Sequence, residues 1–135
     1  MDSSSTPQGE LVLRTLAMPA DTNANGDIFG GWIMSQMDIA GGLKAKQLAR
    51  GRVCTVTVDK MTFHRPVAVG DTVCVYGAVL KRGNSSLQLH LETWVRPINY
   101  DSDEHYLVTD AVFTYVAIDD DGRPRPLPQP KPMPS

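Results

Sequence analysis

Only two cysteines, Cys54 and Cys74, occur in the 135 residues, with no CxxC pair and no His/Cys cluster at metal-ligand spacing. A disulfide scaffold and a zinc module are excluded, and both thiols, set in β-patterned runs, read as small buried hydrophobes. Charge of one sign is also lacking: 13 Lys and Arg stand against 15 Asp and Glu, a net charge of −2. Without a basic field the chain has no general means of gripping nucleic acid. No apolar run approaches the roughly 18 residues of a membrane span, and the polar stretch Met1–Gln8 has no secretory core. The expectation is a cytoplasmic protein with no membrane partner. Nucleophile-elbow, phosphate-loop and HExxH motifs are absent, and the three imidazoles, His64, His90 and His105, have no evident partner. A serine-histidine hydrolase is disfavoured, and His90 and His105 are expected in solvent.

What is present reads as one domain with a core that needs no staple. Glu10–Met18 alternates loosely and stops at Pro19, a short strand, and Pro19–Asp27 is a cluster of turn residues. Phe29–Arg50 has no proline, is apolar on nearly every side and is followed by Gly51, which predicts one long buried helix capped by that glycine. Four β-patterned runs follow: Val53–His64, Thr72–Arg82, Ser85–Arg96 and Tyr106–Ile118. In the third, Leu87, Leu89, Leu91, Thr93 and Val95 alternate with polar residues, the mark of an antiparallel strand with one buried face. Prolines at every second position from Pro124 to Pro134 predict an extended or disordered tail. The organisation is thus a flexible N-terminus over 1–8, a domain over 9–122 and a Pro-rich tail over 123–135. A single apolar helix beside five strands is covered only if the sheet curls around it, an α+β architecture whose open edge strand invites two-fold pairing.

Asp38 is the residue that does not fit this helix. Around it lie Gly31, Met34, Ser35, Gly41, Gly42, Ala45 and Ala49, a small and largely apolar stripe with no charged neighbour one turn away. An ionised carboxylate there needs hydrogen bonds, and it is either satisfied by structure or serves as a base reached by substrate through the space the small residues leave. Gly41-Gly42 costs about 1 kcal/mol per glycine in mid-helix, which implies a steric demand. Gly30 and Gly31 at the helix start allow close approach to free amides, half of an oxyanion hole.

The runs Leu13–Pro19, Asp21–Trp32 and Met34–Asp38, with Thr62–Val67, Val69–Asp71, Gly83–Ser86 and Asp110–Ala117, resemble the hotdog-fold acyl-CoA thioesterases of the YciA type over about residues 9–127. The resemblance implies a five-stranded antiparallel sheet wrapped around the central helix, paired as a dimer and assembled further as a trimer of dimers. It implies acyl-CoA hydrolysis to carboxylate and CoA in fatty acid metabolism, with no metal or cofactor. The family's carboxylate falls on Asp38, acting as base or nucleophile. Its asparagine falls on Asn23, with Asn25 two positions on as the alternative, acting across the dimer interface. The amides of Gly31 and Gly30 would polarise the thioester oxygen. Arg82, Ser85, Ser86 and Arg65, with Arg123 and Arg125 behind, are the candidates for the CoA phosphates; Asn84 stands where the family commonly has the arginine. A non-catalytic acyl-CoA sensor and a hotdog hydratase or dehydratase are the alternatives. Hydratase chemistry on this fold calls for an early catalytic His, and none precedes His64.

Overall fold

The computed structural model describes residues 6–97 and 104–129. The first five residues, most of the expected connection Asn99–Glu104 and the last prolines of the tail fall outside them. Period-two runs form β1 (Glu10–Leu16), β2 (Val53–Phe63), β3 (Thr72–Arg82), β4 (Ser86–Arg96) and β5 (Tyr106–Ala117), and the proline-free run forms α1 (Gly30–Ala49). The strands make one antiparallel sheet in the order β1-β3-β4-β5-β2. Leu87, Leu89, Leu91, Thr93 and Val95 all face inward and are buried, as the alternation requires. Against them and against Phe113, Tyr115, Val73 and Val75 packs one face of α1, through Ile33, Met37, Ala40, Ala45 and Ala49.

The other face of α1 is bare. Ile39 and Leu43 are exposed, as are Val56, Val58 and Phe63 on β2. Among the described residues β2 pairs only with β5, so its second edge offers eleven residues of unpaired backbone beside an apolar strip, which is what a self-pairing edge presents. Cys54 lies on this open strand and is exposed; of the two thiols expected in the core only Cys74 is buried. The bulge of β2 between Asp59 and Thr62, with Lys60 at φ 59°, bends the strand just before Phe63 and His64.

Two details differ from the sequence expectation. The left-handed residue that ends α1 is Arg50 (φ 54°, ψ 47°), not Gly51. Gly51 is where the tail crosses: a Cβ there would lie 2.6 Å from the Arg125 guanidinium. The tail itself is extended and docked. Pro124 bridges Ile118, and the Arg125 and Leu127 amides donate to the carbonyls of Ala117 and Asn84. Alternating prolines leave the intervening N–H groups as the donors of an edge segment. Leu127 is buried in the core cluster. Replacing Leu127 by Ala is expected to destabilise the fold by about 2 kcal/mol, read as a lower urea midpoint. An unchanged midpoint would mean that the tail does not dock in solution.

Candidate active site

The misfit carboxylate of the helix has two hydroxyl donors. Thr55 on β2 donates to Oδ1 of Asp38 at 2.7 Å, and Tyr115 on β5 donates to the same oxygen at 3.0 Å. The Tyr115 hydroxyl also lies 3.2 Å from the Asp38 carbonyl. Burial and the neighbouring negative charge of Asp38 push the Tyr115 phenol well above its ordinary value, so it remains a proton donor. Oδ2 of Asp38 has no partner among the described residues. Asp38 is half-buried and Thr55 exposed, so the unspent oxygen belongs to a carboxylate on the open β2 side. Neither Thr55 nor Tyr115 stands out in the sequence. The available signal is Tyr115, a phenol among Ala111, Phe113 and Ala117 on a buried face, where a hydroxyl must find a partner.

The steric demand expected of the Gly41-Gly42 pair is met at Gly41, by a neighbour within the fold. A Cβ on Gly41 would sit 2.2 Å from the Tyr115 hydroxyl oxygen and 2.9 Å from Leu91 Cδ1, so its missing side chain makes room for the phenol and not for a ligand. Gly31, by contrast, has nothing within 4 Å of its missing Cβ.

At the helix start the chain forms an open groove of about 380 Å³, whose walls include Asn23, Gly30, Phe63, His64 and Arg65. Phe29 caps the helix and its carbonyl accepts from Trp32 and Ile33, which leaves the Gly30 and Gly31 amides without a carbonyl partner among the described residues. Asn23 shapes the loop before it: its side-chain oxygen accepts from the amides of Asn25 (2.9 Å) and Asp27 (3.2 Å). The Arg65 guanidinium lies 4.1 Å over the ring centre of Tyr106. Asn23, Gly30 and Arg65 are therefore brought together, whereas Asp38 is not among the groove residues and is bonded to Thr55 and Tyr115.

The hairpin candidates lie at the other end of the sheet. Ser86 pairs with Val116, whereas Thr93 pairs with Thr109, which itself faces Phe63. Seven strand residues, roughly 23 Å, separate the two ends within one chain. Arg82 donates to the Pro128 carbonyl, and Arg125 donates to the carbonyls of Ile118 (3.0 Å) and Arg52 (3.4 Å). Ser85 and Ser86 accept through their main-chain oxygens from Ala117 and Gly83, and Arg123 is exposed. The tail thus engages two of the expected phosphate ligands.

The histidines are not solitary. His64 Nε2 lies 3.1 Å from Asp110 Oδ1 and His90 Nε2 lies 3.2 Å from Asp110 Oδ2. His90, expected in solvent, is partly buried because Asp110 and Glu92 stand directly opposite in register and its ring lies between them. His105 packs on Trp94, ring centres 5.1 Å apart. Among the described residues no group of three or more His, Cys, Asp or Glu could hold a metal ion, and no helix is long and apolar enough to cross a membrane.

The fold and its residues have close counterparts. The acyl-CoA thioester hydrolase YciA of Salmonella typhimurium is 62% identical over 121 residues, which cover 89% of this chain and 91% of that one. The solved structure of HI0827, a hexameric broad specificity acyl-coenzyme A thioesterase, superposes with a TM-score of 0.86 at 57% identity, over 92% of this chain and 84% of that one. A hexameric hotdog fold thioesterase of Campylobacter jejuni superposes with a TM-score of 0.83 at 40% identity, over 89% and 91%. The five-stranded antiparallel sheet around one helix is the same hotdog fold. Residues 25–99 match the family model of the thioesterase superfamily, and the chain belongs to that superfamily.

Proposed function

We propose that the chain hydrolyses acyl-CoA thioesters to a carboxylate and free CoA. The observation that carries this reading is Asp38: two hydroxyl donors hold one carboxylate oxygen and leave the other unspent on the open side of β2. Close relatives bear the name of that activity. A thioester carbonyl is electrophilic enough that a positioned water, a base and amide donors suffice without metal or cofactor. Asp38 takes a proton from water as the new O–C bond forms. The Gly31 and Gly30 amides, at the positive end of the helix dipole, stabilise the charge on the carbonyl oxygen. Collapse breaks the C–S bond, and the thiolate of CoA takes the proton back from Asp38. A cytoplasmic place in the metabolism of fatty acyl groups is part of the same proposal.

The site is completed by a second copy. Antiparallel pairing of two β2 edges sets the Val53 end of one strand beside the Phe63 end of the other. Asp38 and Thr55 of one protomer then approach the groove with Asn23, Gly30 and Gly31 of its partner, and the hairpin with Arg82, Ser85 and Ser86 approaches the partner's Arg65. Asn23 orients the water or the carboxylate, and the dimers assemble as trimers, consistent with the hexameric relatives.

Two measurements test this. Wild-type protein is expected to release thiol from a panel of acyl-CoAs of short to long chain; binding without release would instead mean a sensor. Asp38→Asn and Asn23→Ala, each impaired alone, are expected to recover about a quarter of wild-type turnover when mixed, since half of randomly paired dimers regain one of two sites. No recovery after verified subunit exchange would refute the shared site.

A further inference from the structure

One string of polar groups crosses the outer face of the sheet and ends on the groove. The Gln8 amide and the Trp94 indole N–H both donate to Glu92 Oε1 at 2.9 Å. Glu92 Oε2 lies 4.0 Å from His90 Nδ1, and His90 Nε2 reaches Asp110, whose second oxygen holds His64. Glu92, His90, Asp110 and His64 thus stand in a row with successive contacts of 4.0, 3.2 and 3.1 Å. Burial alone would raise the Asp110 carboxyl, but the hydrogen bonds of His64 and His90 hold it below its ordinary value. A carboxylate only accepts, so at 3.1 Å the His64 Nε2 is the N–H donor of this contact. The main-chain amide of His64 is anchored as well, donating to the Val108 carbonyl at 2.7 Å.

The ring is thus fixed in place and in tautomer, yet its side chain is 43% exposed and it lines the groove with Asn23 and Gly30. Nδ1 has no partner among the described residues, and in the neutral ring with N–H at Nε2 it is the acceptor. The other charged groups of the groove are Asp27 and Arg65, the latter stacked on Tyr106. A groove of about 380 Å³ is within the range of small-molecule clefts. Next to a thioester carbonyl, a CoA ester carries its pantetheine arm, whose two amides are N–H donors. We propose that His64 is a substrate-positioning residue: its Nδ1 accepts a hydrogen bond from a pantetheine amide, and Asp110, braced by His90, holds the ring to receive it.

This rests on the hydrolase reading, and the test separates the two. Steady-state kinetics of the intact assembly are measured for wild type, His64→Phe and Asp110→Asn on three thioesters of one acyl group: those of CoA, of pantetheine and of mercaptoethanol, which has no amide. His64→Phe is expected to raise KM about tenfold for the first two, the loss of one well-made hydrogen bond, and much less for the third. Asp110→Asn is expected to move KM in the same pattern by a smaller factor, because an amide in place of the carboxylate tolerates either tautomer. Equal defects on all three esters, or a defect in kcat alone, would overturn the proposal. So would a defect confined to the CoA ester, which would place the contact on a phosphate. Thiol release from none of the three by wild type would instead sink the hydrolase reading. Binding of pantetheine followed by calorimetry then still reads the His64 contact, and equal affinity of wild type and His64→Phe would overturn it.

Discussion

Asp38→Asn is expected to lower kcat by about 10²–10⁴-fold, the ordinary worth of a positioned general base. The substitution is close to isosteric, and the Asn side-chain oxygen still accepts from Thr55 and Tyr115, the two donors that hold Oδ1 in the parent. What is lost is the second, unpartnered oxygen with its charge. The fold should therefore be kept, with stability within about 1 kcal/mol of the parent. Turnover and thermal melting measured side by side separate these effects. A loss of activity that tracks a loss of stability would make Asp38 a structural carboxylate. Turnover within about tenfold of wild type would move the base to another residue.

Gly41→Ala is expected to destabilise the protein and to slow it, although helix propensity alone argues the reverse. Alanine is favoured over glycine in a helix interior by about 1 kcal/mol. Against that stands a Cβ placed 2.2 Å from the Tyr115 hydroxyl and 2.9 Å from Leu91, both fully buried. Overpacking of this kind costs about 1–3 kcal/mol, and contact this close belongs at the upper end. The net expectation is a loss of about 1–2 kcal/mol in urea unfolding. Relief requires the Tyr115 ring to move, which takes its hydroxyl off Asp38 and reduces kcat as well. Tyr115→Phe removes the clashing oxygen, so the double variant Gly41→Ala/Tyr115→Phe should be more stable than the sum of the singles, by about 1 kcal/mol of coupling. A stabilised Gly41→Ala would show that the phenol is free to shift and that Gly41 is not there for its sake.

The proposed chemistry places the two centres at different positions along α1 for a physical reason. A carboxylate on the inner helix needs hydroxyl donors from the strands beneath it, whereas an oxyanion site needs amides that no carbonyl has taken, and those occur only in the first turn. Asp38 and Gly30-Gly31 are separated by two turns of one helix, roughly 11 Å, and in the proposed site a second copy brings them to one carbonyl. An open β2 edge with exposed Val56 and Val58 supplies the means of bringing in a second copy.

Much of the fold is legible residue by residue. The alternation of β4 states which side of the sheet faces the helix, because a strand's period of two forces successive side chains to opposite faces, although Glu92 and Trp94 on the other face are buried as well. The proline-free apolar run Phe29–Arg50 and the Gly51 that follows it bracket α1 to within a residue or two. Asp38 stands out because a charge on a small apolar stripe is costly wherever the helix packs. Those are local statements, set by sterics and solvation within a few residues. The partners of Asp38 lie 17 and 77 residues away, Asp110 lies 46 residues from His64, and the tail reaches Asn84 and Arg52. Such meetings depend on the strand order and on a register that one residue's slip would undo. Hence the pairing of the two histidines through Asp110, the exposure of Cys54 on an edge strand, the docking of the prolines and the true tenant of the space beside Gly41 became visible only when the strands were laid side by side.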